Sequence, residues 1–209
     1  MPTYRAIQLK GKGGLDQLQE IELPLMAPKK GEIRIRVRAS GVGFTDIMKR
    51  TGYYPYRPAF PYVEGYEVVG DVDAIGEGVT GFALGRRVCA LTVYGAWAEY
   101  FTRDAEDFVP VPEGLDDAEI DTLRGFVSLF LGARSVGRRG TFYGITALYR
   151  KDKRPFKEDL PKLFELLAAR RIQPRIAARL PLLAGRDAER LLEAGGIGGK
   201  VVLLRSSDE

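Results

Sequence analysis

An α+β fold is predicted, with a β-rich first half that closes on itself only in part, a few helices after it and one final strand. Three observations predict it. Residues 32–40, EIRIRVRAS, alternate Ile33, Ile35 and Val37 with Arg34, Arg36 and Arg38, the period-two signature of a strand with one buried face. Short apolar runs recur between glycine- and proline-containing turns, which suits a compact β-structure. Towards the other end, residues 159–172 carry Leu160, Leu163, Phe164, Leu166 and Leu167 at the spacing of one helix face.

The chain opens on MPTYRAIQLKGKGG, a strand-like alternation without the apolar stretch of an export signal. After EIRIRVRAS, strands are expected in EVVGDVDAIG from Glu67, RRVCALTV from Arg86 and AWAEYFT from Ala96. Residues 127–146, VSLFLGARSVGRRGTFYGIT, read as a short helix and then the strand TFYGIT. In the helix over 159–172, Pro161 stands early enough for a first turn. A strand over 174–180, a helix over 185–195 with a glycine stop and a last strand over 200–204 complete the order.

Composition bounds what the molecule does. A chain of 209 residues, 45% hydrophobic and 29% charged, buries a core without staples. Cys89 is the single cysteine, so no internal disulfide forms, and no apolar run approaches the roughly 18 residues of a membrane helix. A cytoplasmic protein with no membrane partner is expected. The net charge of +4 is mild and its cations interleave with acids. Arg134, Arg138 and Arg139, and a loop of Arg150, Lys151, Lys153, Arg154 and Lys157, are denser, but no nucleic-acid motif accompanies them, so they read as solvated connectors.

Residues 41–88, GVGFTDIMKRTGYYPYRPAFPYVEGYEVVGDVDAIGEGVTGFALGRRV, resemble an ordered pattern of the medium-chain dehydrogenase/reductase family, in its quinone oxidoreductase branch: a G-V-N-F-x-D turn, a G-x-Y-P approach, F-P-x-x-P-G-x-E and a G-x-V-x-x-x-G strand pair closed by G-D-R-V. Residues 195–205, GGIGGKVVLLR, look like that family's closing G-x-x-G-K-x-V-L strand. The resemblance implies a GroES-like, partly closed β-barrel catalytic domain over 1–122 plus 172–209. It also implies that the Rossmann nucleotide-binding domain is largely deleted. Between Glu113 and Gly140 stand only about two dozen residues, where enzymes of the resembled family insert several βαβ units. Residues 123–171 are then a remnant of that domain, a strand and a helix. An unpaired strand edge invites pairing, so a homodimer through residues 140–147 is expected.

No replacement cofactor site is visible. In the G-x-G-x-x-G fingerprint the glycines let the backbone approach a pyrophosphate, yet Gly41 and Gly43 are followed by Asp46 at the third position. The glycines at 195, 196, 198 and 199 precede a strand, and a phosphate loop ending at Gly199 and Lys200 fails at Ala194 and Val201. With no histidine and one cysteine, neither a zinc ligand set nor a Ser-His or Cys-His nucleophile can be assembled. Zinc-dependent relatives carry a cysteine near Gly43 and a histidine near Tyr66, and both are lost here. The expectation is therefore no cofactor and no metal.

Carboxylates and phenols of the matched segment remain. The resemblance puts Asp46 after the cleft turn and Tyr54 at the place of a cleft tyrosine, while the asparagine expected at Gly43 is missing. Glu64 replaces a proline, and an acid in such a turn has its pKa raised and suits general acid–base work. Asp46, Tyr54 and Glu64 are the candidate catalytic residues. Phe44, Tyr53, Tyr62, Tyr66, Tyr94 and Trp97, with Glu67, which keeps the acidic position the resemblance implies, are candidates for binding a flat conjugated ligand, because aromatics, several with polar handles, suit such a pocket. The expected function is a cofactor-independent, non-redox enzyme performing cyclisation, conjugate addition, isomerisation or dehydration on an enone- or quinone-like, polyketide-type small molecule. A residual NADPH-dependent quinone or enone reductase and a non-catalytic binding or scaffold protein are the alternatives.

Overall fold

The computed structural model describes residues 1–123 and 145–206. Its strands are β1 (Thr3–Leu9), β2 (Leu18–Pro24), β3 (Glu32–Val42), β4 (Tyr62–Val63), β5 (Glu67–Ile75), β6 (Arg87–Leu91), β7 (Tyr100–Asp104), β8 (Phe108–Pro110), β9 (Ile176–Pro181) and β10 (Lys200–Leu204). Its helices are α1 (Phe44–Thr51), α2 (Asp117–Leu123), α3 (Ile145–Lys151), α4 (Arg154–Ala168) and α5 (Gly185–Glu193). The fold is α+β: a sheet ordered β2-β1-β4 and a larger one ordered β8-β6-β5-β3-β10-β9, with β7 also on β3. No barrel closes among the described residues; a bridge between Ala6 and Ala98 links the small sheet to the segment before β7.

The larger sheet is apolar on both faces where two cores meet it. Val68, Val88, Ala90, Val201 and Leu203 point into one core with Ile33, Ile35, Val37 and Trp97. Their neighbours Val69, Cys89, Leu91 and Val202 point into the other with Ala39. Period-two alternation thus feeds two cores, so β6 and β10 read as unbroken apolar runs. The second core is covered by Phe156, Leu160, Phe164 and Leu167, one stripe of α4. Each such side chain contributes roughly 1.5–3 kcal/mol by leaving water.

Several elements depart from the sequence reading. Helix α4 starts at Arg154, with Pro155 in its first turn, so Pro161 lies inside the helix. Strand β7 starts at Tyr100, because Ala96, Trp97 and Ala98 turn inward as core, with Trp97 and Ala98 bonded beside the small sheet instead of extending the β7 ladder on β3. Of residues 41–46, read as a turn, the last three begin a helix, Phe44–Thr51: the Asp46 carboxylate accepts the Gly43 N–H at 2.8 Å, the reciprocal half of a capping box, and Gly52 closes the helix at φ 85°. Most of the expected TFYGIT strand lies outside the described residues. Its last two residues, Ile145 and Thr146, begin α3, so strand pairing through 145–147 is corrected to a helix.

Candidate functional site

Strand β3 pairs with β5 on one side and β10 on the other, and its end brings Gly41 to Gly43, Glu67 and Lys200 together. The Lys200 ammonium forms an ion pair with the Glu67 carboxylate. A Cβ built on Gly43 would stand 3.7 Å from Lys200 Nζ and 3.9 Å from Asp46 Oδ2. Lys200 therefore fills the space beside the bare backbone of Gly43. Its side chain is 13% exposed and that of Glu67 3%, so water reaches the pair from the lysine side.

Next to Glu67, the Tyr66 hydroxyl meets Thr146 of α3 and lies 3.3 Å from the Tyr54 hydroxyl. Tyr54 in turn lies 2.7 Å from Thr146 Oγ1. Two phenols from separate loops and one buried threonine hydroxyl thus form a closed triangle. Burial, with the Tyr54 hydroxyl and the Glu67 carboxylate nearby, pushes the Tyr66 phenol above its ordinary value against the opposing Thr146 hydrogen bond. Tyr66 is therefore a neutral donor at physiological pH. Tyr56 packs edge-on against Tyr54 at 5.6 Å, and the Arg150 guanidinium lies over Tyr56 at 5.4 Å.

Asp46 and Glu64 adjoin this group through Lys49, whose ammonium lies 5.8 Å from the Tyr66 ring centroid. Lys49, one turn after Asp46 on α1, is 0% exposed and reaches both: Asp46 Oδ1 at 3.0 Å and the Glu64 carboxylate. Its ammonium also donates to the Val93 carbonyl at 2.8 Å. Burial alone would lower the Lys49 ammonium, but Glu64 and Asp46 outweigh it and raise it. Burial pushes Glu64 up against the pull of Lys49, and Tyr62 donates to it at 3.3 Å. Gly65 beside it has φ 107°, and a Cβ there would meet the Trp97 backbone nitrogen at 2.5 Å.

A second buried network, of Arg50 with carboxyl groups, joins α1 to α5. Arg50 holds Glu189 at 2.6 Å, pairs with Glu193 and donates to the Gly13 carbonyl at 2.7 Å. Burial pushes Glu189 up to about 8; Asp46 and Glu64 add to this, while Arg50 works against it.

The sequence-predicted residues therefore fall into three places. Tyr54, Tyr66 and Glu67 come together; Asp46, Glu64 and Tyr62 surround Lys49; Trp97 is buried as core and donates Nε1–H to the Gly41 carbonyl at 3.2 Å. Phe44 and Tyr53 are 71% and 76% exposed, and Tyr94 is a half-open ring against Tyr62 at 6.2 Å. Lys49, Thr146 and Lys200 were missed. Only Lys49 had a local signal, its i,i+3 spacing from Asp46, visible once α1 is read as a helix.

The residues present do not fit a dinucleotide. Among the described residues one strand pair is parallel, β9 with β10, and every other ladder is antiparallel, whereas a doubly wound site needs parallel strands feeding helix N-termini. Residues 124–144, between α2 and α3, are fewer than one βαβ unit takes. Zinc does not fit either, since no three His, Cys, Asp or Glu groups converge among the described residues. No helix described is long and apolar enough to cross a membrane.

Residues 29–113 match the alcohol dehydrogenase GroES-like domain family. The human synaptic vesicle membrane protein VAT-1 homolog-like is 38% identical over 115 residues, 55% of this chain and 27% of its own. The quinone oxidoreductase of Rattus norvegicus is 36% identical over 114 residues, 54% of this chain and 35% of its own. The matched stretch thus spans about a quarter to a third of these curated relatives. In fold, the crystal structure of the human VAT-1 homolog-like protein superposes with a TM-score of 0.84 at 20% identity, over 99% of both chains. A putative NADPH:quinone reductase from Bacillus thuringiensis does so with 0.82 at 15% identity, over 99% of this chain and 100% of that one. Ordered motifs, the match over residues 29–113 and the shared fold converge on one statement: residues 29–113 form an alcohol dehydrogenase GroES-like domain, similar in sequence to the VAT-1 homolog-like protein and to quinone oxidoreductase.

Proposed function

We propose that this chain is a cofactor-independent, non-redox enzyme acting on an enone- or quinone-like, polyketide-type small molecule. The observation that carries the reading is the triangle of Tyr54, Tyr66 and Thr146 hydroxyls beside the Glu67–Lys200 ion pair. Preorganised donors of this kind stabilise charge developing on a carbonyl oxygen. Tyr54 and Tyr66, with the Lys200 ammonium, receive the carbonyl oxygen; Glu67 takes the proton from the adjacent carbon and returns it at the conjugated position. Carbon loses and regains one proton, so an isomerisation balances without oxidant or reductant. Cyclisation and dehydration proceed from the same enol, and conjugate addition of a nucleophile to the enone leads to it. Asp46 and Glu64 act behind this site, as positioning residues that hold Lys49 and the loop carrying Tyr66. The division into 1–122 plus 172–209 and 123–171, a homodimer and a cytoplasmic location belong to the same proposal.

The test is hydrogen–deuterium exchange of 2-cyclohexenone in D2O, followed by NMR without nucleotide. Exchange faster than in buffer is expected, lost about 100-fold in Glu67→Gln and Tyr66→Phe, as for general acid–base groups. Exchange at the buffer rate overturns the reading. The similarity to a quinone oxidoreductase and to a putative NADPH:quinone reductase favours a second reading, a residual quinone reductase, and consumption of NADPH with a naphthoquinone would select it. Absence of both activities would leave a binding or scaffold protein.

A further inference from the structure

A cavity of about 550 Å³, open to solvent, lies between α4, strand β8 and the loop around Val79. That volume falls in the range of small-molecule pockets, roughly 300–1,000 Å³. Its wall is mostly apolar, formed by Val79, Phe82, Ala105, Phe108, Val109 and Pro161.

Two charges face it, Glu106 and Lys157, and they differ. Glu106 is already neutralised by Lys153 at 2.6 Å, a lysine that also holds Asp107 at 2.7 Å. The other side-chain cations of α4 are matched too: Arg154 by Asp152 at 2.7 Å and Lys162 by Asp159 at 3.1 Å. Lys157 has no ion pair among the described residues, although it is half-buried at the apolar wall. A partly desolvated, unmatched ammonium beside an apolar void selects an anion with an apolar body.

We propose that this cavity binds an amphiphilic carboxylate, a medium-chain fatty acid with its tail between Phe82, Val79 and Phe108 and its carboxylate on Lys157. The site is separate from the Tyr54, Tyr66 and Thr146 triangle, shares no residue with it and stands independently of the proposed activity.

The probes are decanoate and uncharged 1-decanol, titrated by calorimetry into the wild-type chain, Lys157→Glu and Val79→Trp, with thermal midpoints recorded for each. Decanoate is expected to saturate one site and 1-decanol to bind at least about tenfold more weakly, the weight of one charge-assisted hydrogen bond. Lys157→Glu removes the preference for decanoate, and Val79→Trp, which fills the void, removes binding of both while the midpoint stays within a few degrees. Decanoate that binds Lys157→Glu as well as wild type, or that shows no saturation below about 1 mM in the folded wild-type protein, overturns the proposal. Equal binding of both probes would make it an apolar patch without head-group recognition and overturns it likewise.

Discussion

Glu64 and Glu67 flank the same short turn, yet the fold gives them opposite surroundings. Glu64 is sealed: 0% exposed, ion-paired to an equally buried Lys49, with the Gly65 N–H and the Tyr62 hydroxyl completing its shell. Glu67 meets a lysine that still reaches water, beside a bare glycine backbone and a triangle of hydroxyls. The first arrangement fixes the chain; the second leaves donors and a carboxylate where a ligand can replace water. An acid in a sequence motif becomes a site or a strut according to the cation the fold sets against it.

The sharpest way to break the comparison is to remove each cation. Lys49→Met leaves two buried carboxylates uncompensated, and denaturant unfolding should show a loss of about 3–5 kcal/mol. Lys200→Met should cost far less, about 1–2 kcal/mol, because water already reaches this pair from the Lys200 side and can hydrate the Glu67 carboxylate once the ammonium is gone. Equal losses would erase the distinction between strut and site.

The second network sharpens the same point through pH. Glu189 has its folded value raised to about 8, above that of the unfolded chain. The native state then holds a proton that the unfolded state has released between about pH 4.5 and 8, so its contribution to stability is full below that window and is lost as pH rises through it, by up to about 1.4 kcal/mol per unit. Unfolding curves at successive pH values should show this slope, and Glu189→Gln should flatten it. The smallest stability effect is expected at Thr146→Val, below about 1 kcal/mol, although the hydroxyl triangle loses its common partner. Deuterium exchange of the enone should nevertheless fall about tenfold in that variant.

Much of the fold was legible in the sequence because period-two alternation in β3 and the leucine stripe of α4 each report a buried face. β7 was less so, since Trp97 bonds to Ile7 and Glu64 and Ala98 bridges to Ala6 beside the small sheet instead of extending the β7 ladder on β3. Tyr54 and Glu67 were picked out by the resemblance, and Tyr66 as one of a dense run of aromatics. Their partners were not, because Lys200 meets Glu67 across 133 positions and Thr146 meets Tyr66 across 80. Nor was the burial of Asp46 and Glu64 legible, since it depends on one lysine of a helix whose start read as a turn.

The most direct test of the account is a calorimetric titration of the purified chain with NADPH and, separately, with a naphthoquinone. Saturable quinone binding that Tyr54→Phe weakens, with no heat from NADPH, is the predicted result. Saturable NADPH binding, with its consumption when the quinone is added, would contradict a site that works by proton transfer alone.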